Sequence, residues 1–147
     1  MQIAQLGTNA ERVNVVVKNV DGAGSLTTGR GVCLVQAGAS IDGISAVNAT
    51  GALIKGFIGV SIQDIAINAI GLVTAGGYVA SVLISHEGSS ITVTRGDTLK
   101  PGAVAGTFAS SLTDQAISTL LYRYVYAGST NTISAAAYVT GVVKALF

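Results

Sequence analysis

Glycine interrupts this chain at short intervals, and that spacing restricts it to short extended segments. Nineteen glycines accompany a single proline, and Val, Ile, Thr, Ser and Ala fill most of the segments between them. β-Branched residues favour strands, whereas glycine favours tight turns and weakens helices. The sequence therefore predicts an all-β protein of short strands joined by glycine turns.

The strand candidates are apolar runs that end at Gly, Ser or Asn. The clearest spans 13–20, which contains three consecutive valines and reaches a turn at 19–24. The best hairpin joins 78–85 to 90–95 through a turn at 86–89, since apolar and threonine residues alternate in its second arm. At most one helical turn is expected, at 113–116, and no internal repeat or linker is evident. The other strand candidates are 31–36, 41–47, 55–62, 71–74, 121–127 and 132–147, the last as one closing strand or two.

Charged residues are scarce for a chain of this size. Eight cations and seven acids stand among 147 residues, half of which are hydrophobic. A compact monomer would expose roughly 6,900 Å², or one charge per ~460 Å² against ~190 Å² for ordinary composition. Apolar surface on this scale usually marks an interface, so we expect copies of the chain or another protein to cover part of it.

The charge pattern also argues against several classes of partner. Single, scattered cations and a net charge of +1 provide no basic stripe for nucleic acid. Residues 66–85 carry no charge, but glycines and polar residues divide them, so no membrane span is expected. Residues 1–7 lack the features of a secretory signal, which predicts a protein made in the cytoplasm. The lone Cys33 is expected to be a buried hydrophobe.

Residues that could perform catalysis are few, and we expect no catalytic, metal or cofactor site. His86 and Glu87 fall in a predicted turn without a third converging group. Asp64 and Asp97 are expected to cap turns. Residues 22–27 begin like a dinucleotide fingerprint, but Thr27 stands where the third glycine should be and a strand follows where a helix should begin. No small-molecule substrate is predicted.

Tyrosines form a stripe near the C-terminal end. Tyr122, Tyr124 and Tyr126 project to one face of the strand predicted at 121–127. Packing in the core or on a sheet face is favoured; a subunit interface, which would include Tyr138, is the second interpretation, and a carbohydrate platform is the third.

Three segments together resemble small capsid decoration, or cement, proteins of tailed bacteriophages. The first is VKNVDG at 17–22 leading to LTTGRGV at 26–32, which is similar to an early strand, glycine-rich turn and next strand of that family. The second is FIGVSIQDIA at 57–66 continuing through GLVTAGG at 71–77, and the third is the turn GDTLKPG at 96–102.

This resemblance implies a single compact β-barrel-like or β-tulip-like domain over residues 13–147, preceded by an extended N-terminal arm at 1–12. It also implies a homotrimer that binds the major capsid protein on the outside of the virion. Ile3, Gln5 and Leu6 are the candidate capsid contacts, because an alternating arm can add a strand to a capsid loop. The alternative function is a carbohydrate-binding or adhesion module of a virion.

Overall fold

The protein is described from a computed structural model over residues 12–35, 42–50, 56–84, 91–95, 97–102, 104–110, 125–127, 131–133 and 141–146. These ranges hold β-strands and no α-helix, so the predicted all-β class is confirmed. In chain order the strands are β1 (Val13–Asn19), β2 (Gly31–Leu34), β3 (Ser45–Asn48), β4 (Phe57–Ser61), β5 (Ile70–Gly76), β6 (Tyr78–Ile84), β7 (Ile91–Val93), β8 (Thr98–Pro101), β9 (Phe108–Ser110), β10 (Val125–Ala127), β11 (Asn131–Ile133) and β12 (Gly141–Leu146).

The strands close into two five-stranded barrels. In the first barrel the order is β1-β3-β2-β4-β5, and in the second it is β6-β9-β8-β10-β12. Each barrel has one parallel pair, β1 with β3 and β6 with β9, and its other four pairs are antiparallel. When the five strands of each barrel are numbered in chain order, both barrels have the strand order 1-3-2-4-5. The same topology therefore occurs twice along the described chain.

The repeat extends beyond the barrel strands. In the first half, Leu26 and Ile65 form an isolated antiparallel bridge, and at the same place in the second half β7 pairs with β11. The backbone N–H of Arg30 donates to Thr27 O at 3.1 Å, and that of Asp97 donates to Thr94 O at 3.0 Å. These turns lie in two aligned segments, LTTGRGV at 26–32 and VTRGDTL at 93–99, which share only the threonine and the glycine.

There are two core clusters, one centred on each barrel, and Val60 of β4 belongs to the cluster of the second barrel. Equivalent positions are buried in both barrels. When the β2–β3 pair is superposed by register on the β8–β9 pair, Val32 takes the position of Leu99 and Ala46 that of Phe108. All four side chains are buried. The two cores therefore use the same positions with different side-chain sizes.

A seam of hydrogen bonds and aromatic packing joins the barrels. Gly31 N–H donates to Gly106 O at 2.7 Å, and Leu83 N–H donates to Gly29 O at 2.9 Å. The rings of Phe57 and Phe108 meet edge to face, with centroids 5.8 Å apart. Along the chain, Gly77 alone separates β5 from β6, and its φ of +96° lies in the left-handed region that favours glycine.

Several predicted details differ from the structure. The predicted hairpin of 78–85 with 90–95 is wrong, because β12 and β9 occupy the two edges of β6 while β7 pairs with β11. Residues 96–102 were expected to be a turn, but they contain β8, and β9 was not among the predicted strands. The helical turn at 113–116 and residues 1–11 of the predicted arm lie outside the described residues.

Candidate interaction surface

An apolar face covers the outside of the β1–β5 pair. Val16 lies opposite Leu72, and Lys18 lies opposite Ile70. The exposed fractions are 56% for Val16, 67% for Ile70 and 36% for Leu72. Opposed side chains on an antiparallel pair have Cβ atoms about 4.5–5.5 Å apart, so these four form one continuous surface. We call Val16, Lys18, Ile70 and Leu72 the β1–β5 face.

Two exposed isoleucines flank this face. The N–H of Lys18 donates to Ile44 O at 2.8 Å, which places Ile44 beside β1. Ile67 precedes Asn68, whose φ of +64° turns the chain into β5 and whose N–H donates to Asn19 O at 2.7 Å. Both exposed isoleucines therefore lie near the end of the strand pair that holds Lys18 and Ile70.

The face arises because β1 and β5 carry apolar residues on both sides. Val17 points into the core while Val16 and Lys18 alternate outward, and in β5 the exposed Ile70 and Leu72 alternate with the buried Gly71 and Val73. Strands that are apolar on both faces are typical of sheets that are covered on both sides. The run of three valines was the sequence signal for this surface, and the sequence prediction used it only to place a strand.

A buried polar network holds the turn that follows β1. The side-chain Nδ2 of Asn19 donates to Ile65 O at 2.9 Å, and Asn19 Oδ1 accepts from Asp21 N–H at 2.8 Å. Asp21 Oδ2 in turn accepts from Asn48 Nδ2 at 2.8 Å and from Asn48 N–H at 3.0 Å. Partial burial disfavours ionisation of Asp21, but its hydrogen bonds from Asn48 and Ala23 outweigh burial and lower its pKa. The carboxylate is thus bound within a structural turn.

The other acidic residues singled out in the sequence also hold turns. Asp64 Oδ1 accepts from Thr28 N–H at 2.8 Å and from the Thr28 hydroxyl at 3.0 Å, and these bonds lower the pKa of Asp64. Asp97 Oδ2 accepts from Thr94 N–H at 2.8 Å. Turn capping, as predicted for both carboxylates, is confirmed. His86 and Glu87 lie outside the described residues.

Cys33 is fully buried in β2, as predicted. Burial raises the pKa of its thiol to about 12, although a backbone hydrogen bond with Thr50 acts in the opposite direction. A protonated, inaccessible thiol is a poor nucleophile at neutral pH. The cysteine is therefore part of the core of the first barrel.

The structure places only one of the predicted contact residues. Tyr126 lies in β10, opposite Leu146 of β12 and Thr98 of β8. Ile3, Gln5, Leu6, Tyr122, Tyr124 and Tyr138 lie outside the described residues, so their roles stay predictions.

The part of the chain that the structure describes contains no group of three His, Cys, Asp or Glu residues able to hold a metal ion. Over the same ranges, no helix is long and apolar enough to cross a membrane. No protein-family model matches the sequence, and no curated protein matches it either.

Proposed function

We propose that this protein is a non-enzymatic structural protein of a virion, a capsid decoration or cement protein that binds the outside of a phage head and stabilises it. Its partners are the major capsid protein and other copies of the chain, as a homotrimer. The proposal combines the resemblance of the three glycine-rich segments with the exposed apolar surface of the first barrel.

The observation that carries the proposal is the β1–β5 face. Three large aliphatic side chains stand in water around one cation, on two well-paired strands. Such a surface is suited to a protein partner and unsuited to general acid–base chemistry, which needs titratable groups within hydrogen-bond reach of a substrate. Binding is therefore favoured over catalysis.

Apolar burial would supply most of the affinity. Fully burying an aliphatic side chain contributes ~1.5–3 kcal/mol, so side chains that are already about half-buried contribute roughly 1 kcal/mol each. One such contact is weak, but a symmetric oligomer engages several sites at once, and linked contacts bind far more tightly than single ones. The predicted N-terminal arm, with Ile3 and Leu6, would add a strand to a capsid loop.

Co-sedimentation with phage heads tests this function. Purified protein is mixed with expanded heads that lack it, from the phage that encodes the chain, and we expect saturable binding and greater resistance of the heads to heat. Leu6→Glu places a charge at a predicted contact and should weaken binding at least tenfold. Gln2→Glu adds the same charge at a polar position of the arm and serves as the control.

Two outcomes would contradict the proposal. Wild-type protein that stays in the supernatant at saturating concentration has no affinity for the shell. Specific binding on a glycan array without head binding would instead support the adhesion module considered from the tyrosine stripe.

A further inference from the structure

We propose that the edge of β1 at Asn14 and Val16 binds an extended strand of a different protein, one that is rich in aliphatic residues and carries a carboxylate near each end. The strand adds to β1 by main-chain hydrogen bonds, on the side where β3 stops short. This inference goes beyond the proposed function, in which the N-terminal arm of this chain supplies the strand and the capsid supplies the edge.

β1 is longer than its pairing with β3. On one edge, β1 pairs with β5 from Val13 to Lys18. On its other edge, β1 pairs with β3 only at Lys18 and Asn19. Within the described ranges, most of β1 therefore has a neighbouring strand on one side only.

The alternation of main-chain groups along β1 identifies the groups at this open edge. Lys18 N–H donates to Ile44 O at 2.8 Å and so points toward β3, whereas Asn19 N–H donates on the β5 side. Successive residues of a strand direct their N–H groups to opposite edges, so those of Asn14 and Val16 point the same way as that of Lys18. Among the described residues, none forms a hydrogen bond with Val16 N–H on this edge.

The turn at Asp42 explains why β3 stops short. If the parallel pairing continued by two residues along β1, Ile44 N–H would donate to Val16 O. It donates instead to Asp42 Oδ1 at 3.0 Å, and the same carboxylate accepts from Ser45 N–H and from the Ser45 hydroxyl, each at 2.7 Å. The turn therefore uses the donor that the edge of β1 would need, and both main-chain groups of Val16 are left available to a partner.

The side chains around the edge are exposed or only half-buried. The exposed fractions are 60% for Val13 and 56% for Val16, and Asn14 is exposed as well. Val15 points inward and packs on the core of the first barrel, yet it is only half-buried. An added strand would place one set of alternate side chains beside Val16 and the other set over Val15. Aliphatic side chains suit both positions, because they would shield these valines from water.

Charge favours a different protein over a second copy of β1. Arg12 and Lys18 are the two charged residues of segment 12–19, and neither has an ion-pair partner within the described ranges. In an antiparallel dimer of β1 edges, the register that joins Asn14 of one copy to Val16 of the other also places Arg12 opposite Lys18. Like charges directly opposite each other on paired strands are destabilising. A strand with a carboxylate near each end meets both cations instead.

Amide hydrogen exchange measured by NMR tests whether the edge is open. We expect the Val16 amide to exchange roughly 100-fold faster or more than those of Val15 and Val17, which point toward β5. Equal protection of Val16 and Val17 that persists on dilution would overturn the inference, because the chain itself would then cover the edge. Protection that disappears on dilution would identify a second copy as the occupant and would also overturn it.

A capped peptide of sequence EVTVTVE serves as the probe strand. We expect it to bind with a dissociation constant on the order of millimolar or below, to slow exchange of the Val16 amide and to leave that of Val17 unchanged. The capped peptide KVTVTVK has the same β-branched core with the opposite charges. It should bind about tenfold more weakly or worse at low salt.

A proline substitution tests the main-chain contact. Val16→Pro removes the edge N–H, and proline is tolerated at an edge position whose N–H faces solvent. It should weaken binding of EVTVTVE about tenfold or more, whereas Val16→Thr keeps the N–H and should bind within about threefold of wild type. Circular dichroism and thermal melting check that Val16→Pro is folded, and the exchange and two-peptide measurements on the wild-type chain decide the question without this variant.

The outcomes separate this inference from the proposed function. No binding of EVTVTVE, equal binding of the two peptides, or unchanged binding by folded Val16→Pro would each overturn the inference. A chain that binds EVTVTVE at β1 but does not bind phage heads would support the inference and contradict the proposed function.

Discussion

Replacing Phe108 with alanine tests whether the two barrels unfold as one unit. Phe108 belongs to β9 of the second barrel and is fully buried. Its ring meets that of Phe57 in β4 and lies so close to Gly31 in β2 that a Cβ at Gly31 would be 3.0 Å from Phe108 Cζ. Val60, also from the first barrel, belongs to the same core cluster as Phe108. The side chain therefore fills the second core and supports the seam.

The expected cost follows from complete burial. Truncating a buried phenylalanine to alanine destabilises a protein by about 3–5 kcal/mol, because apolar contacts are lost and a cavity remains. Phe108→Leu keeps most of the apolar volume and should cost roughly 1–2 kcal/mol. Urea unfolding followed by far-ultraviolet circular dichroism measures both changes, since the chain has no tryptophan to report by fluorescence.

Cys33 reports separately on the first barrel. Its thiol is buried in β2, so a thiol reagent reacts only after that barrel opens. If the barrels open together, Phe108→Ala should accelerate labelling of Cys33 by about 10²–10⁴-fold, since each 1.4 kcal/mol is a factor of ten. Leu26→Ala, in the core of the first barrel, is the positive control. An unchanged labelling rate in a destabilised Phe108→Ala protein would refute the coupling of the barrels.

Two further predictions concern single turns and strands. Gly59→Ala should lower the free energy of unfolding by about 3 kcal/mol or more, because a Cβ there would lie 1.9 Å from the backbone oxygen of Thr74 and would force β4 away from β5. In the control Gly22→Ala, the added Cβ meets no atom within 4 Å, so the urea midpoint should stay unchanged or rise slightly. Equal stability of the two variants would contradict this prediction. Asp42 accepts hydrogen bonds from Ser45 and Ile44 that hold its pKa at about 2. A carboxyl group whose pKa is lower in the folded than in the unfolded chain stabilises the fold at pH values above its unfolded pKa of about 4. The free energy of unfolding should therefore fall as the pH is lowered from about 4 to about 2, and Asp42→Asn should flatten that fall. A value near 4 for Asp42 in a carboxyl NMR titration would contradict the prediction.

The positions of the longer strands could be predicted from the sequence because local residue preferences specify them. The valine run of β1 and the glycine-bounded runs of β2 and β4 gave their approximate positions. β8 and β9 were missed because they are short, and because Pro101 and several small residues resemble turn chemistry. Their extended form depends on pairing with each other and with distant strands, which local preference does not encode.

The order of the strands in the sheets could not be predicted from the sequence for a related reason. The hairpin prediction assumed that neighbours along the chain are neighbours in the sheet, whereas β6 pairs with strands that begin 24 or more residues beyond its own end. The duplication left one readable trace, the shared threonine and glycine of the segments at 26–32 and 93–99. Two identities in seven residues are too few to reveal a repeat without the hydrogen bonds that align the two turns.

The candidate surface could likewise be predicted only in part from the sequence. Scarcity of charge predicted an exposed apolar surface but could not place it, because exposure depends on which strands share an outer face. Only the pairing of β1 with β5 brings Val16, Ile70 and Leu72 together. The tyrosine stripe was the more conspicuous pattern in the sequence, yet its one described member, Tyr126, is placed only by its strand register.

The two copies of one topology differ in how they distribute polarity. The first barrel buries Asn19 and Ser61 at positions where the second barrel has Ile84 and Ala127. A hydrogen-bonded polar residue in a core adds less stability than an aliphatic one of similar size, because folding only exchanges its bonds with water for bonds within the protein. The first barrel also exposes aliphatic residues such as Ile70, whose burial would stabilise the native state further. A partner that binds only the folded chain shifts folding toward the native state by mass action. Among the described residues, the first barrel combines these buried polar groups with exposed aliphatic ones, so a partner that covers its β1–β5 face should raise the stability of this half.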